Sequence, residues 1–121
     1  MTPRTTGLLA VLALSVACAT EPPVKTEPVP EWLAAIIDQL EHPPVSNPPE
    51  FIAQYKYQGQ VVYYVGPRCC DIPSTLYSAA GAVLCAPDGG FSGGGDGRCP
   101  DFMAARSDEK ILWRPRGPAE R

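Results

Sequence analysis

Concentrated positive charge is missing from this chain. Ten Lys and Arg stand against thirteen Asp and Glu, for a formal net charge of -3, and the basic residues are scattered rather than gathered into the patch that phosphate backbones require. Nucleic acid is therefore not an expected partner. Histidine is nearly absent as well. The only one, His42, falls at a predicted helix end beside Pro43 and Pro44, where a dipole contact or plain exposure is expected rather than general-base duty. The carboxylates are too dispersed to nominate a catalytic pair. No catalytic residue and no cofactor is expected. A thioredoxin-type Cys-x-x-Cys is lacking. The downstream cysteines Cys69, Cys70, Cys85 and Cys99 are separated by zero, fourteen and thirteen residues, not by the two to four or so that zinc sites favour.

What is present is punctuation. Fifteen prolines, eleven glycines and only 19% charged residues describe one small, loop-rich domain with extended flanks. At the N-terminus, Arg4 precedes an apolar run over 7–16 that would span about 15 Å as a helix, half of a hydrocarbon core of about 30 Å. It reads as a secretory signal peptide over 1–17, outside the fold. Leu14-Ser15-Val16-Ala17-Cys18 resembles the lipobox of bacterial lipoproteins, which implies lipid on Cys18 and a membrane as partner. Ser15 stands where a lipobox usually has Leu. The overlapping Ala17-Cys18-Ala19 is also an A-x-A cleavage site, which would release a soluble protein starting at Thr20. The residue after Cys18 is not the aspartate of an inner-membrane retention signal, so an outer-membrane lipoprotein is expected, with a periplasmic or secreted protein as the alternative. Residues 18–29, rich in Pro and charge, read as an extended tether.

The domain expected over 30–114 is α+β: one N-terminal amphipathic helix packed on a four- to five-stranded antiparallel sheet, with two disulfides. Pro30-Glu31-Trp32 opens the helix, Leu33, Ile36, Ile37 and Leu40 form its apolar stripe, and Trp32 is expected to anchor packing. Strands over 50–57 and 61–65 are joined by Gln58-Gly59. In that register Tyr55 opposes Val62 and Ala53 opposes Tyr64. Phe51, Ala53, Tyr55, Val62 and Tyr64 then share the face assigned to the helix, leaving Tyr63 half-exposed on the other. Short strands over 75–77 and 82–85, a short helix over 101–106 and a last strand over 110–113 complete the domain, with a disordered tail at 115–121.

Five cysteines leave an even four once Cys18 is set aside, as suits an oxidising compartment. Adjacent cysteines in a strand point to opposite faces. The expected disulfides are therefore Cys69–Cys85 with Cys70–Cys99, or the crossed pairing, with a reactive vicinal pair at Cys69 and Cys70 as the alternative. Between Cys85 and Cys99 lie six glycines in the nine residues 89–97. Asp88, Asp96 and Asp101 are candidate calcium ligands there, although neither the EF-hand nor the GGxGxD spacing is met, and no Lys-Ser or Lys-Thr follows for a phosphate. The competing expectation is a turn-rich loop whose glycines supply positive φ. Tyr63 and Phe91 are the candidate contacts for a protein or small-molecule partner.

Pro30-Glu31-Trp32-Leu33, Val62-Tyr63-Tyr64-Val65, Cys69-Cys70-Asp71, Cys85-Ala86-Pro87-Asp88-Gly89-Gly90-Phe91, Gly95-Asp96-Gly97, Cys99-Pro100-Asp101-Phe102 and Leu112-Trp113 together resemble a family of small uncharacterised bacterial lipoproteins. That resemblance covers about 30–113. It implies export and the domain limits, with no activity attached. The expected role is a noncatalytic cell-envelope binding or interaction domain, with a thiol or redox-active protein using Cys69 and Cys70, or a calcium-binding module using the Asp88–Asp101 loop, as the alternatives.

Overall fold

A computed structural model describes residues 3, 7, 17–19, 28–42 and 45–117. Apart from residues 3, 7 and 17, the expected signal peptide lies outside the described residues, as do most of the tether and the last four residues of the tail.

Helix α1, Glu31–Glu41, begins where Pro30 needs no amide hydrogen bond; the Pro30 carbonyl accepts from the N–H groups of Leu33 and Ala34 at 3.0 and 2.9 Å. It stands before the strands rather than at the chain's N-terminus. Its stripe buries Leu33 and Leu40 fully and Ile36 and Ile37 in part. The last turn closes on His42, whose N–H donates to Asp38 and whose Nδ1 lies 3.2 Å from the Asp38 carboxylate in the open.

Strands β1 (Ile52–Tyr57) and β2 (Gln60–Val65) form the expected hairpin, with Tyr55 opposite Val62 and Ala53 opposite Tyr64. Gln58 and Gly59 both take positive φ, 51° and 72°, the twist that a two-residue antiparallel turn demands. β3 (Thr75–Ser78) and β4 (Val83–Cys85) follow, joined through a turn in which the Ser78 N–H donates to Ala82 at 2.8 Å. After the one-turn helix α2 (Phe102–Ala105), β5 (Ser107–Trp113) returns to pair with β1. The five-stranded antiparallel sheet has the order β4-β3-β2-β1-β5.

Both faces of this sheet are covered, and α1 lies on the one that was expected to be open. Leu33 and Leu40 pack with Ile52, Tyr63, Val65 and Trp113. Tyr63 is only 5% exposed, with the Trp32 ring edge-on at 5.6 Å. Ala53, Tyr55, Val62 and Tyr64 do share a face, but it is the opposite one, where they meet Tyr57, Leu76, Cys85, Cys99 and Phe102. The physical reason is that β2 is apolar on both sides, with Val61, Tyr63 and Val65 on one and Val62 and Tyr64 on the other, so period separates the two sets without saying which one the helix covers, even though β1 adds Gln54 and Lys56 to the helix side. Trp32 does anchor α1, donating from Nε1 to the Ala79 carbonyl at 3.1 Å. Trp113 ties the last strand to the helix through Glu41, also at 3.1 Å. No helix among the described residues is long and apolar enough to cross a membrane.

Candidate functional site

On the face away from α1, three tyrosines of the hairpin donate their hydroxyls to three carboxylates from later in the chain. Tyr64 reaches Asp88 at 2.8 Å, Tyr57 reaches Asp101 at 2.7 Å and Tyr55 reaches Glu109 at 2.5 Å. The fully buried Phe102 ring fills the space between them, edge-on to Tyr55 and Tyr57 and stacked on Tyr64 with centroids 5.3 to 5.8 Å away. Burial first, then the bond to Glu109, pushes the Tyr55 phenol up to about 12. Burial and Asp88 move Tyr64 in the same direction, well above the ordinary phenol range. The bond to Asp101 leads for Tyr57, again upward. These phenols are held neutral as donors, which suits bracing of the loops rather than proton transfer near neutrality.

The same bonds answer the calcium expectation. Asp88 and Asp101 each serve a different tyrosine, while Asp96 accepts from the Ala86 and Arg98 backbone N–H groups at 3.1 and 3.0 Å and from the Arg98 guanidinium at 2.8 Å. The Arg98 backbone N–H, then its side chain, hold the Asp96 carboxyl down at about 2. The three acids thus face separate partners instead of one point, and no cluster of three or more His, Cys, Asp or Glu suited to a metal exists among the described residues.

The glycine loop is instead turned by its own backbone. The Gly89 N–H donates to the Gly93 carbonyl at 3.0 Å and the Gly93 N–H to the Gly90 carbonyl at 3.2 Å around a tight reversal, and the Asp96 N–H donates back to Ala86 at 2.9 Å. Gly95, at φ +66°, runs so close to the Ala86 carbonyl that a Cβ would overlap it. Gly89 packs flat against a second turn, since a Cβ there would stand 2.8 Å from Pro67 and 3.2 Å from Pro73. Ser74 locks the two turns together, donating to the Asp88 carbonyl and accepting from the Asp88 N–H at 3.0 and 3.1 Å. Phe91 projects from the loop tip at 95% exposure.

That second turn carries Cys69 and Cys70, and it corrects the expected disulfides. Cys69 lies at disulfide distance from Cys70, and Cys85 from Cys99. The opposite-face argument holds for a strand, but residues 66–74 have left the sheet, and Cys70 and Asp71 take positive φ of 72° and 74°. The two pairs have different surroundings. Cys85 and Cys99 are 2% and 8% exposed in the core and enclose the glycine loop, whereas Cys69 and Cys70 are both exposed and, as chain neighbours, close no loop of consequence. The cysteine turn is held without help from the sulfurs. Asn47 accepts from the Cys69 N–H at 3.1 Å and donates to its carbonyl at 3.4 Å, and the Arg68 N–H bonds Ile72 at 3.1 Å. Cys18 is exposed and unpaired.

An open cleft of about 540 Å³ runs between the hairpin tip and the β3–β4 turn, with Arg98 on its wall. Asp96 already neutralises that cation.

Fold and site together define a small α+β domain: a helix and a glycine-loop cap on opposite faces of one antiparallel sheet, braced by a buried disulfide and carrying an exposed vicinal cysteine pair. The chain belongs to the family described as Domain of unknown function (DUF6970), whose model matches residues 38–115. The match takes in the last turn of α1 and the whole sheet. Searches of the curated proteins and of the solved structures returned no match.

Proposed function

We propose that the chain is an exported protein of the bacterial cell envelope, carried at the outer membrane by lipid on Cys18, whose domain is a noncatalytic binding module. The observation that carries this reading is the partition of the cysteines. Four pair among themselves within the domain, leaving exposed Cys18 alone and free for acylation, at the position that resembles a lipobox cysteine. Binding is supported by the way Phe91 is presented: a fully exposed aromatic ring on a loop held by several backbone bonds loses little freedom on contact.

The test is expression of the full chain in a Gram-negative host. A diacylglyceryl mass on Cys18, partition into detergent, and loss of both in Cys18→Ser are expected; a soluble product starting at Thr20 overturns the anchor. The binding role is read separately. Cys18→Ser protein is expected to sediment with isolated cell envelopes, and Cys18→Ser with Phe91→Ser to stay in the supernatant. Equal behaviour of the two removes Phe91 from the binding surface.

A further inference from the structure

We propose that Cys69–Cys70 is a two-electron thiol–disulfide exchange site that accepts reducing equivalents from an external dithiol, while Cys85–Cys99 is a purely structural bond. This goes beyond the binding role and does not depend on the lipid anchor.

Access separates the two pairs first. Thiol–disulfide exchange requires a thiolate to reach a sulfur along the S–S axis; Cys85 and Cys99 are buried in the core, and Cys69 and Cys70 lie in an exposed turn. Topology separates them next. A bond between chain neighbours restrains the unfolded chain very little, so Cys69–Cys70 can open without loosening the domain. The turn also stays in place when it opens, because its backbone is fixed by Asn47 on both polar groups of Cys69 and by the Arg68–Ile72 bridge. The two thiols of the reduced form therefore remain side by side, ready to close again. Chemistry near the turn favours the same step. Arg68 directly precedes Cys69 in the chain, and a cation in the same turn favours the thiolate form through its charge. Its Nη1 is held by the Asn47 carbonyl at 3.4 Å, and Asp71 on the other side sets the only acidic charge within the turn. Ile72, two residues after Cys70, is 46% exposed and offers apolar surface next to the pair.

The reaction balances as follows. One donor thiolate attacks a cysteine sulfur; the Cys69–Cys70 bond breaks, a mixed disulfide forms, and the other cysteine leaves as thiolate and takes up a proton. The donor's second thiol, once deprotonated, attacks the mixed disulfide, closes the donor's own disulfide and releases the remaining cysteine. Two electrons and two protons pass from the dithiol to the protein.

The test uses the full, nonreduced chain with any free Cys18 thiol first blocked by N-ethylmaleimide. One equivalent of dithiothreitol, or of a peptide containing reduced Cys-x-x-Cys, is added; the reaction is quenched with iodoacetamide and the peptides are mapped by mass. Alkylation of Cys69 and Cys70 at least about tenfold faster than of Cys85 and Cys99 is expected from their difference in access. A Cys69–Cys70 pair that stays closed while Cys85–Cys99 opens, or equal rates at the two, overturns the proposal. Reaction with dithiothreitol alone upholds the exchange and assigns a small dithiol as donor; reaction with the peptide too upholds it for protein dithiols. The double variant Cys69→Ser, Cys70→Ser is expected to melt like the parent, and a collapsed fold there would make the pair a structural bond and overturn the proposal as well.

Discussion

Replacing Gly95 by Ala isolates what the glycine loop contributes. A Cβ at Gly95 would overlap the Ala86 carbonyl oxygen and stand 2.7 Å from Asp88 N and Pro87 C, all of them backbone atoms. Side-chain rotation cannot relieve such contacts. The left-handed conformation, φ +66°, costs an alanine about 1–2 kcal/mol on its own. Moving the backbone aside breaks the bonds from Asp96 N–H to Ala86 and from Gly95 N–H to Gly89, each contributing about 0.5–1.5 kcal/mol. Together the loss is about 2–5 kcal/mol. Gly97 is the internal control, with a similar φ of +77° but open space around it, so Gly97→Ala should cost only the conformational term of about 1–2 kcal/mol. Urea unfolding followed by fluorescence, with equal slopes for the two variants, measures the difference directly. At about 4–8 °C per kcal/mol for a domain of this size, Gly95→Ala should also melt at least about 4 °C below Gly97→Ala. Equal stabilities would show that the loop yields freely and would refute its rigidity.

Three further outcomes are expected. Opening the buried disulfide with Cys85→Ser and Cys99→Ser removes a closure of about fifteen residues and should cost about 3 kcal/mol in the chain-entropy model, read by urea unfolding. Tyr64→Phe leaves Asp88 without its buried donor and should cost about 1–3 kcal/mol; a double cycle with Asp88→Ala should recover most of that loss as coupling, and additivity would refute the bond. On the alkaline side, Tyr55 titrates near 12 in the fold against about 10 unfolded, and Tyr64 shifts the same way. The native state therefore holds these protons more tightly, and stability is complete below about pH 10 and falls as pH rises toward about 12. Phenolate absorbance near 295 nm should rise together with unfolding, and full ionisation of the tyrosines near pH 10 in folded protein would contradict it.

The helix and hairpin were legible because each is specified locally. Pro30 and the 33-36-37-40 stripe need only neighbouring residues, and so does a Gln58-Gly59 turn between alternating strands. Choosing the face for α1 was not local. Ile52, Tyr63 and Val65 are as apolar as Ala53, Tyr55 and Val62, and the decision rests on Phe102 arriving from fifty residues downstream to fill one side. The expected disulfides failed for a related reason. They assumed extended backbone at Cys69 and Cys70, and nothing in neighbouring residue types announces a left-handed Cys70 followed by a left-handed Asp71. The site was legible in fragments: Asp88, Asp96, Asp101 and Phe91 were all named, but their partners Tyr64, Arg98 and Tyr57 were not, since hydroxyl-to-carboxylate pairs twenty-four and forty-four residues apart leave no periodic signal.

The place of β5 beside β1 has a kinetic meaning. The first strand to emerge waits for the last one to cover its outer edge, so the sheet cannot close until Trp113 has arrived to meet Ile52 and Glu41. Until then β1 presents an open ladder of amides and carbonyls, the kind of edge on which another chain can add a strand. A truncation before Ser107 would keep that edge open permanently, turning a folding intermediate into a template for self-association.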